Sequence, residues 1–297
     1  MVYHMASTGL LSTARIYFSL TKPNVWWLLV FTGITGLFAG AGGPPEIYTS
    51  ILAIITITAG SAGSETVSNY IERDIDSIMR RTARRVLPKG LIKPAWKALV
   101  FGLILIAISL ITATFINIPT FIFMLAGILD YLLVYVMFTK RRSPANIILG
   151  SFAGGAPLMA GYAAAAGEVT LEAWILASLI VLWIPAHVWS LALRYKEDYI
   201  RAGVPMLPAV ISEVKAIRCI ASTVILFILF SIAPYLLYPS KYGLPYLVVA
   251  GVSGAALAYY SMRLIALPNK ENAWKLFKLT SPQLAILSAA IILENIF

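Results

Sequence analysis

Charge is scarce in this chain. Only 12% of its 297 residues are Asp, Glu, Lys or Arg, whereas a soluble domain carries roughly 25%. Beside 60% hydrophobic residues, that scarcity excludes an ordinary soluble fold, whose core cannot hide so much apolar surface. Cysteine is scarcer still. The lone Cys219 excludes an intrachain disulfide and reads as a small apolar filler in a helix. The N-terminus also lacks a charged stretch followed by a small-residue cleavage site, which argues against a cleaved signal.

What is present is a series of long apolar runs. A helix needs about 20 mainly apolar residues to cross the hydrocarbon of a bilayer, and it satisfies its own backbone hydrogen bonds there. Nine candidate spans meet this condition: Val25–Ala41, Ile47–Thr66, Ala98–Ile116, Pro119–Thr139, Asn146–Ala166, Ala173–Leu193, Ile217–Leu237, Tyr246–Leu264 and Leu279–Ile296. Pro, Gly and charge mark the breaks, as at Gly42-Gly43-Pro44-Pro45 and Arg142-Ser143-Pro144. The expected fold is an all-α polytopic membrane bundle, one integral membrane domain over 1–297. Residues 1–24 form an interfacial segment, with Tyr17 and Phe18 towards lipid and Arg15 towards phosphate.

Basic residues test the span count. With the N-terminus cytoplasmic, 22 of the 23 Lys and Arg fall in cytoplasmic stretches, and only Lys241 lies outside. The positive-inside rule expects that bias. The net charge of +10 is therefore topology, with attraction to anionic lipid or substrate secondary, and nucleic acid is not needed as a partner.

Two cytoplasmic segments, 67–97 and 194–216, mix carboxylates with basic and polar groups. If the second span continues past Thr66, Ser68, Glu72 and Asp76 fall one turn apart, Asn69 shares their face, and Asp74 points elsewhere. Stacked like charges destabilise a helix, so a cation should compensate. Mg²⁺ suits one or two carboxylates with phosphate oxygens completing its shell. Arg80, Arg81, Arg84, Arg85 and Lys89 follow as diphosphate ligands. The competing reading is an ordinary loop with ion pairs such as Asp76 with Arg80. In the second segment His187, Leu191, Arg194 and Asp198 share a face, with His187 about 16 Å deeper than Asp198. A polar group at that depth is a functional candidate, or else a histidine bonded to a neighbouring helix. Asp130, mid-span, reads as an interior structural acceptor, and Glu65 as a weaker candidate for the site wall. Lys140-Arg141-Arg142 reads as a topology anchor, and Arg263–Lys278 as an interface connector. Gly150, Gly154, Gly155 and Gly161 read first as close helix packing.

The segment from Asn69 to Asp76, followed by Arg81-Thr-Ala-Arg-Arg85-Val-Leu-Pro-Lys-Gly90, resembles the first signature of the UbiA-type intramembrane prenyltransferases. Leu20–Val25, Lys140–Asn146, Pro185–Leu193, Tyr195–Tyr199 and Ala202–Pro208 are most similar to the heme-farnesylating branch of that superfamily. Ser68 and Glu72 depart from its pattern, where Asn and Asp are usual. The quinone branch usually carries two aspartates in the second motif, where this chain has Tyr195, Asp198 and Tyr199.

The resemblance implies farnesyl transfer from farnesyl diphosphate to a vinyl group of heme b. Catalysis then falls to Asn69, Glu72, Asp76, Tyr195 and Asp198, with Mg²⁺ held by Asn69, Glu72, Asp76 and Asp198. Arg81, Arg85, Lys89 and Lys196 neutralise the diphosphate, and His187 contacts heme through its iron or a propionate. It also implies a cell-membrane location among lipids, an active site at the cytoplasmic face, and hand-over of product to heme A synthase or a heme-copper oxidase. Two rivals stand beside it: a sister prenyltransferase acting on an aromatic acid, quinone precursor or lipid alcohol, and a secondary transporter with an ion site around Asp130.

Overall fold

The computed structural model describes residues 9–297, and among these it contains helices and no strands. The expectation for the N-terminal segment before Gly9 lies outside the described residues. The chain begins with α1 (Leu10–Leu20), followed by α2 (Pro23–Ala41), α3 (Ile47–Ile71) and the short α4 (Arg73–Ile78). Then come α5 (Trp96–Thr114) and α6 (Ile118–Leu129), which runs on as a π-helix over Asp130–Thr139. The middle holds α7 (Asn146–Leu149), α8 (Phe152–Ala166), α9 (Leu171–Arg194), α10 (Lys196–Arg201) and α11 (Leu207–Val210). The chain closes with α12 (Glu213–Ser231), α13 (Ala233–Leu237), α14 (Leu244–Ala266) and α15 (Lys270–Ile296).

Nine helical segments among the described residues are long and apolar enough to cross a membrane. Their outer faces carry exposed Leu103, Ile108, Ile225, Leu229 and Val252, residues that a bilayer covers. The protein is a multi-pass membrane protein. The largest boundary shift is in the last span, which starts at Lys270 behind the Asn269 cap and absorbs most of the expected basic connector. Tyr17 is a second correction: its ring packs edge-on against Phe101, with centroids 5.0 Å apart, while Phe18 remains exposed.

Small residues let the central helices approach closely. A Cβ on Gly36 of α2 would lie 2.1 Å from the Leu158 carbonyl of α8, and one on Gly161 would lie 2.0 Å from the Gly33 carbonyl. Gly161 is thus a packing glycine, as expected. Asp130 has the structural role expected of it, accepting the Ala153 amide at 2.8 Å near the start of α8. At the end of the bundle away from the charged segments, Lys241 ion-pairs with buried Glu172 at 2.8 Å.

α3 runs past Thr66 to Ile71, as the column argument required. Glu72 marks a slight break, but its amide still bonds the Ser68 carbonyl at 2.9 Å, and the Asp76 amide bonds the Glu72 carbonyl at 2.8 Å. The one-turn register therefore survives the break.

Candidate active site

The polar column of α3 and α4 is buried: Ser68, Asn69, Glu72 and Asp76 are each under 5% exposed. All four side chains are tied to residues outside the column. Asn69 Nδ2 donates to the Leu20 carbonyl at 2.6 Å. Arg85 Nη1 donates to both oxygens of Asp76 at 2.8 Å, so Asp76 pairs with Arg85 and not with Arg80. Lys140 ion-pairs with Glu72 and lies over the Tyr135 ring, 5.1 Å from its centroid. Burial disfavours the Lys140 charge, but the Glu72 carboxylate outweighs it and the lysine pKa is raised. The Arg85 pKa is likewise raised, against burial, by Asp76.

The Lys140 turn is thus more than a topology anchor. Its neighbour Arg141 donates from Nη1 and Nη2 to the two oxygens of exposed Asp74 at 2.8 Å, and these bonds hold the Asp74 carboxyl below its usual pKa. Asp74 does point away from the column.

The second segment meets the first at Asp198. This buried carboxylate accepts the Arg81 amide at 3.3 Å and the Arg201 guanidinium at 3.3 Å. Arg81 also lies over the Tyr195 ring, 5.6 Å from its centroid. Lys89 is exposed and Lys196 half-buried, and neither makes an ion pair among the described residues.

Among the described residues no three His, Cys, Asp or Glu side chains converge as a ready cation site. The donors nonetheless suit a hard divalent ion. Asn69 Oδ1 is buried without a hydrogen-bond partner, and an unmet buried acceptor costs about 1–3 kcal/mol. It stands in one column with Glu72 and Asp76, an all-oxygen set of the kind Mg²⁺ takes. Lys140 and Arg85 supply the compensating positive charge that the stacked carboxylates demand.

Above this charged end lies a cavity of about 510 Å³, lined among others by Leu28, Glu65, Arg81, Tyr131, Ile180, Trp183, His187 and Phe277. Small-molecule sites typically enclose roughly 300–1,000 Å³. Gly150 and Gly154 also line it. Aromatic rings run from its depth towards its charged mouth. His187 stacks between Trp183 and Phe277, with centroids at 4.3 and 4.4 Å. Phe277 stacks on Trp274 at 5.0 Å, and Trp274 meets Tyr195 edge-on at 6.2 Å. That row ends beneath Arg81.

Thr280 engages one ring nitrogen of His187 from a neighbouring helix. Thr280 Oγ1 donates its one hydrogen to the Phe277 carbonyl at 2.6 Å. His187 Nδ1, 2.6 Å away, is therefore placed to donate to Oγ1, and Nε2 has no hydrogen-bond partner among the described residues.

Sequence reasoning missed Lys22 and Tyr131 and ranked Glu65 low. Lys22 Nζ pairs with Glu65 Oε2 at 2.8 Å, 43 positions away, and also donates to Ser68. The Tyr131 hydroxyl donates to Glu65 Oε1 at 2.9 Å. Lys22 is the one non-glycine residue with positive φ among those described, at 55°, a sparsely populated conformation. It turns the chain between α1 and Pro23, and burial lowers its pKa.

A lipid-embedded helical bundle with a basic, carboxylate-bearing mouth over an apolar cavity suits an enzyme that joins a diphosphate-activated hydrocarbon to a hydrophobic acceptor. The chain matches the UbiA prenyltransferase family over residues 29–284, and it belongs to that family. It is 40% identical to the protoheme IX farnesyltransferase of Thermoplasma volcanium, over 96% of this chain and 99% of that one. It is also 40% identical to that of Desulforudis audaxviator, over 96% of this chain and 90% of the other. Metallosphaera sedula has a relative of the same name, 39% identical over 96% of this chain and 98% of its own. Among solved structures, one described as digeranylgeranylglyceryl phosphate synthase has a TM-score of 0.78 at 24% identity, covering 95% of this chain and 98% of that one. A UbiA homolog from Archaeoglobus fulgidus bound to GPP and Mg²⁺ has a TM-score of 0.67 at 17% identity, covering 93% and 99%. These two show a shared fold.

Proposed function

We propose that the protein transfers a farnesyl group from farnesyl diphosphate to a vinyl group of heme b, giving heme O. The observation that carries this reading is His187, which lines the apolar cavity and has Nδ1 engaged by Thr280, so that Nε2 is the nitrogen left to meet a ligand. A propionate needs a donor, whereas iron takes a lone pair. Nε2 is therefore the atom that holds the heme iron, and the stacked Trp183 and Phe277 fix its ring. The names of the relatives point the same way.

The charged end binds the diphosphate. Asn69, Glu72, Asp76 and Asp198 would hold Mg²⁺, which would supply Lewis-acid neutralisation of the diphosphate. Arg81, Arg85, Lys89 and Lys196 complete the neutralisation, which is electrostatic stabilisation aimed at charge that develops as the bond breaks. Arg85 and Lys140 release their carboxylates in part as the substrate enters. Tyr195, beneath Arg81, presents an aromatic wall near the breaking bond, where π faces favour an allylic cation. The cavity walls keep stray water from that cation. The vinyl π electrons attack farnesyl C1, diphosphate leaves with the C–O electron pair, and water adds to the new cation to give the hydroxyethylfarnesyl group.

The basic bias of one set of span ends supports a mouth at the cytoplasmic face of the cell membrane, with the N-terminus on the same side. The whole chain, 1–297, works as one membrane domain that meets both lipophilic substrates from the bilayer. The product is then released to a heme A synthase or heme-copper oxidase. Labelled farnesyl diphosphate offered with Mg²⁺, heme b and an aromatic acid tests the acceptor. Label in the heme fraction is expected; label in the aromatic acid alone contradicts the proposal.

A further inference from the structure

A polar stripe on α3 carries the charged end into the apolar cavity. Ser61, Ser64 and Glu65 line it at three- and four-residue spacing. Glu65 is 6% exposed, a carboxylate at a depth where charge is costly and points to function. Lys22 and Tyr131 each occupy one of its oxygens, at 2.8 and 2.9 Å. A carboxylate oxygen has about two acceptor positions, so Oε1 keeps one for a further donor. Ser64, the preceding residue on α3, also lines the cavity, and its Oγ is buried with no hydrogen-bond partner. An unmet hydroxyl next to a half-used carboxylate, on a cavity wall, is a place for a small molecule that both donates and accepts.

We propose that Glu65 is the general base of the hydration step, holding with Ser64 the water that captures the carbocation. The assignment rests on the prenyl-transfer reading above. When the new carbon–carbon bond forms, the positive charge lies on the vinyl carbon next to the porphyrin ring. A lone pair of the water oxygen forms the C–O bond there. One O–H bond of that water breaks, its proton passes to Glu65 Oε1, and Glu65 then returns it to solvent at the charged mouth. Tyr131 and Lys22 keep the carboxylate fixed throughout. Without a placed water and base, the same cation discharges by losing a proton from the adjacent carbon, giving an alkene lighter by one water. Glu65 therefore decides between alcohol and alkene.

The test is the ratio of the two products, read by mass spectrometry of hemes extracted from the purified full-length protein. Glu65→Gln should still form the carbon–carbon bond, with the alkene-to-alcohol ratio raised by about 10-fold or more, given the 10²–10⁴-fold effects of placed bases. Glu65→Asp should recover part of the alcohol. A wild-type protein that makes no farnesylated heme overturns the prenyl-transfer reading and this assignment together. A wild-type protein that makes it, with E65Q giving an unchanged ratio or no carbon–carbon bond at all, overturns this assignment alone. Should E65Q not survive purification, Ser64→Ala is read in the same way: a raised alkene fraction supports the assignment, and an unchanged one overturns it.

Discussion

A single nitrogen, Nη1 of Arg85, lies 2.8 Å from both carboxylate oxygens of Asp76. The buried acid is held by a cation that, in the proposed mechanism, later serves the diphosphate. Arg85 thus keeps the Asp76 carboxylate oriented. Asp76→Asn should lower turnover by about 10²–10³-fold, the usual effect of removing one preorganised electrostatic partner. The variant should still purify as a folded membrane protein, and near-normal turnover would remove Asp76 from the mechanism.

Lys140 and Glu72 form the second buried pair of the column. Replacing Lys140 with Met leaves the Glu72 charge without a partner, and breaking such a pair costs about 3–5 kcal/mol. Thermal unfolding in detergent should show a clear drop for Lys140→Met. The double variant Lys140→Met, Glu72→Gln should recover most of it, and equal losses in both would dismiss the pair.

Thr280 Oγ1 lies 2.6 Å from His187 Nδ1 and donates to the Phe277 carbonyl, so in the proposed reading it takes the Nδ1 hydrogen. Thr280→Val removes the acceptor of the Nδ1 proton, and loss of such a supporting bond typically weakens metal binding by about 10–100-fold. Heme titration followed in the Soret band should show that loss, together with an altered band position. An unchanged spectrum and affinity would separate His187 from the iron.

Arg141 holds the Asp74 carboxyl below its usual pKa. A depressed acid adds stability above its unfolded pKa, near 3.9, and that contribution is lost as pH falls through the folded value. Arg141→Ala should therefore cost no more than about 1 kcal/mol at neutral pH, because the pair is exposed. Unfolding midpoints of the two proteins should begin to converge as pH falls through about 3.9 and meet below the lower folded value of Asp74; a gap that does not shrink with falling pH would contradict the linkage.

The spans were legible because hydrocarbon imposes one solution on apolar runs, and the α3 column because a helix repeats every 3.6 residues. Glu72, Asp76 and Asn69 lie within two turns, so spacing alone places them on one face. Lys22 with Glu65, and Lys140 with Glu72, join distant segments, and one sequence carries no signal of which turns pack together. Lys140 looked like a topology anchor because its immediate neighbours are basic. The scarcity of acidic residues was still a clue: with 13 of them, each buried carboxylate needs a cation from somewhere. The partner of His187 Nδ1, Thr280, lies on another helix, and only the assembled bundle reveals it.

The most direct test of the central claim is the mass of the heme recovered after the purified protein is incubated with heme b, farnesyl diphosphate and Mg²⁺. The account predicts heme carrying one farnesyl group and one water, formed only while divalent metal is present and lost on chelation. Heme b recovered unchanged, while an aromatic acid or lipid alcohol offered in parallel is prenylated, would contradict it.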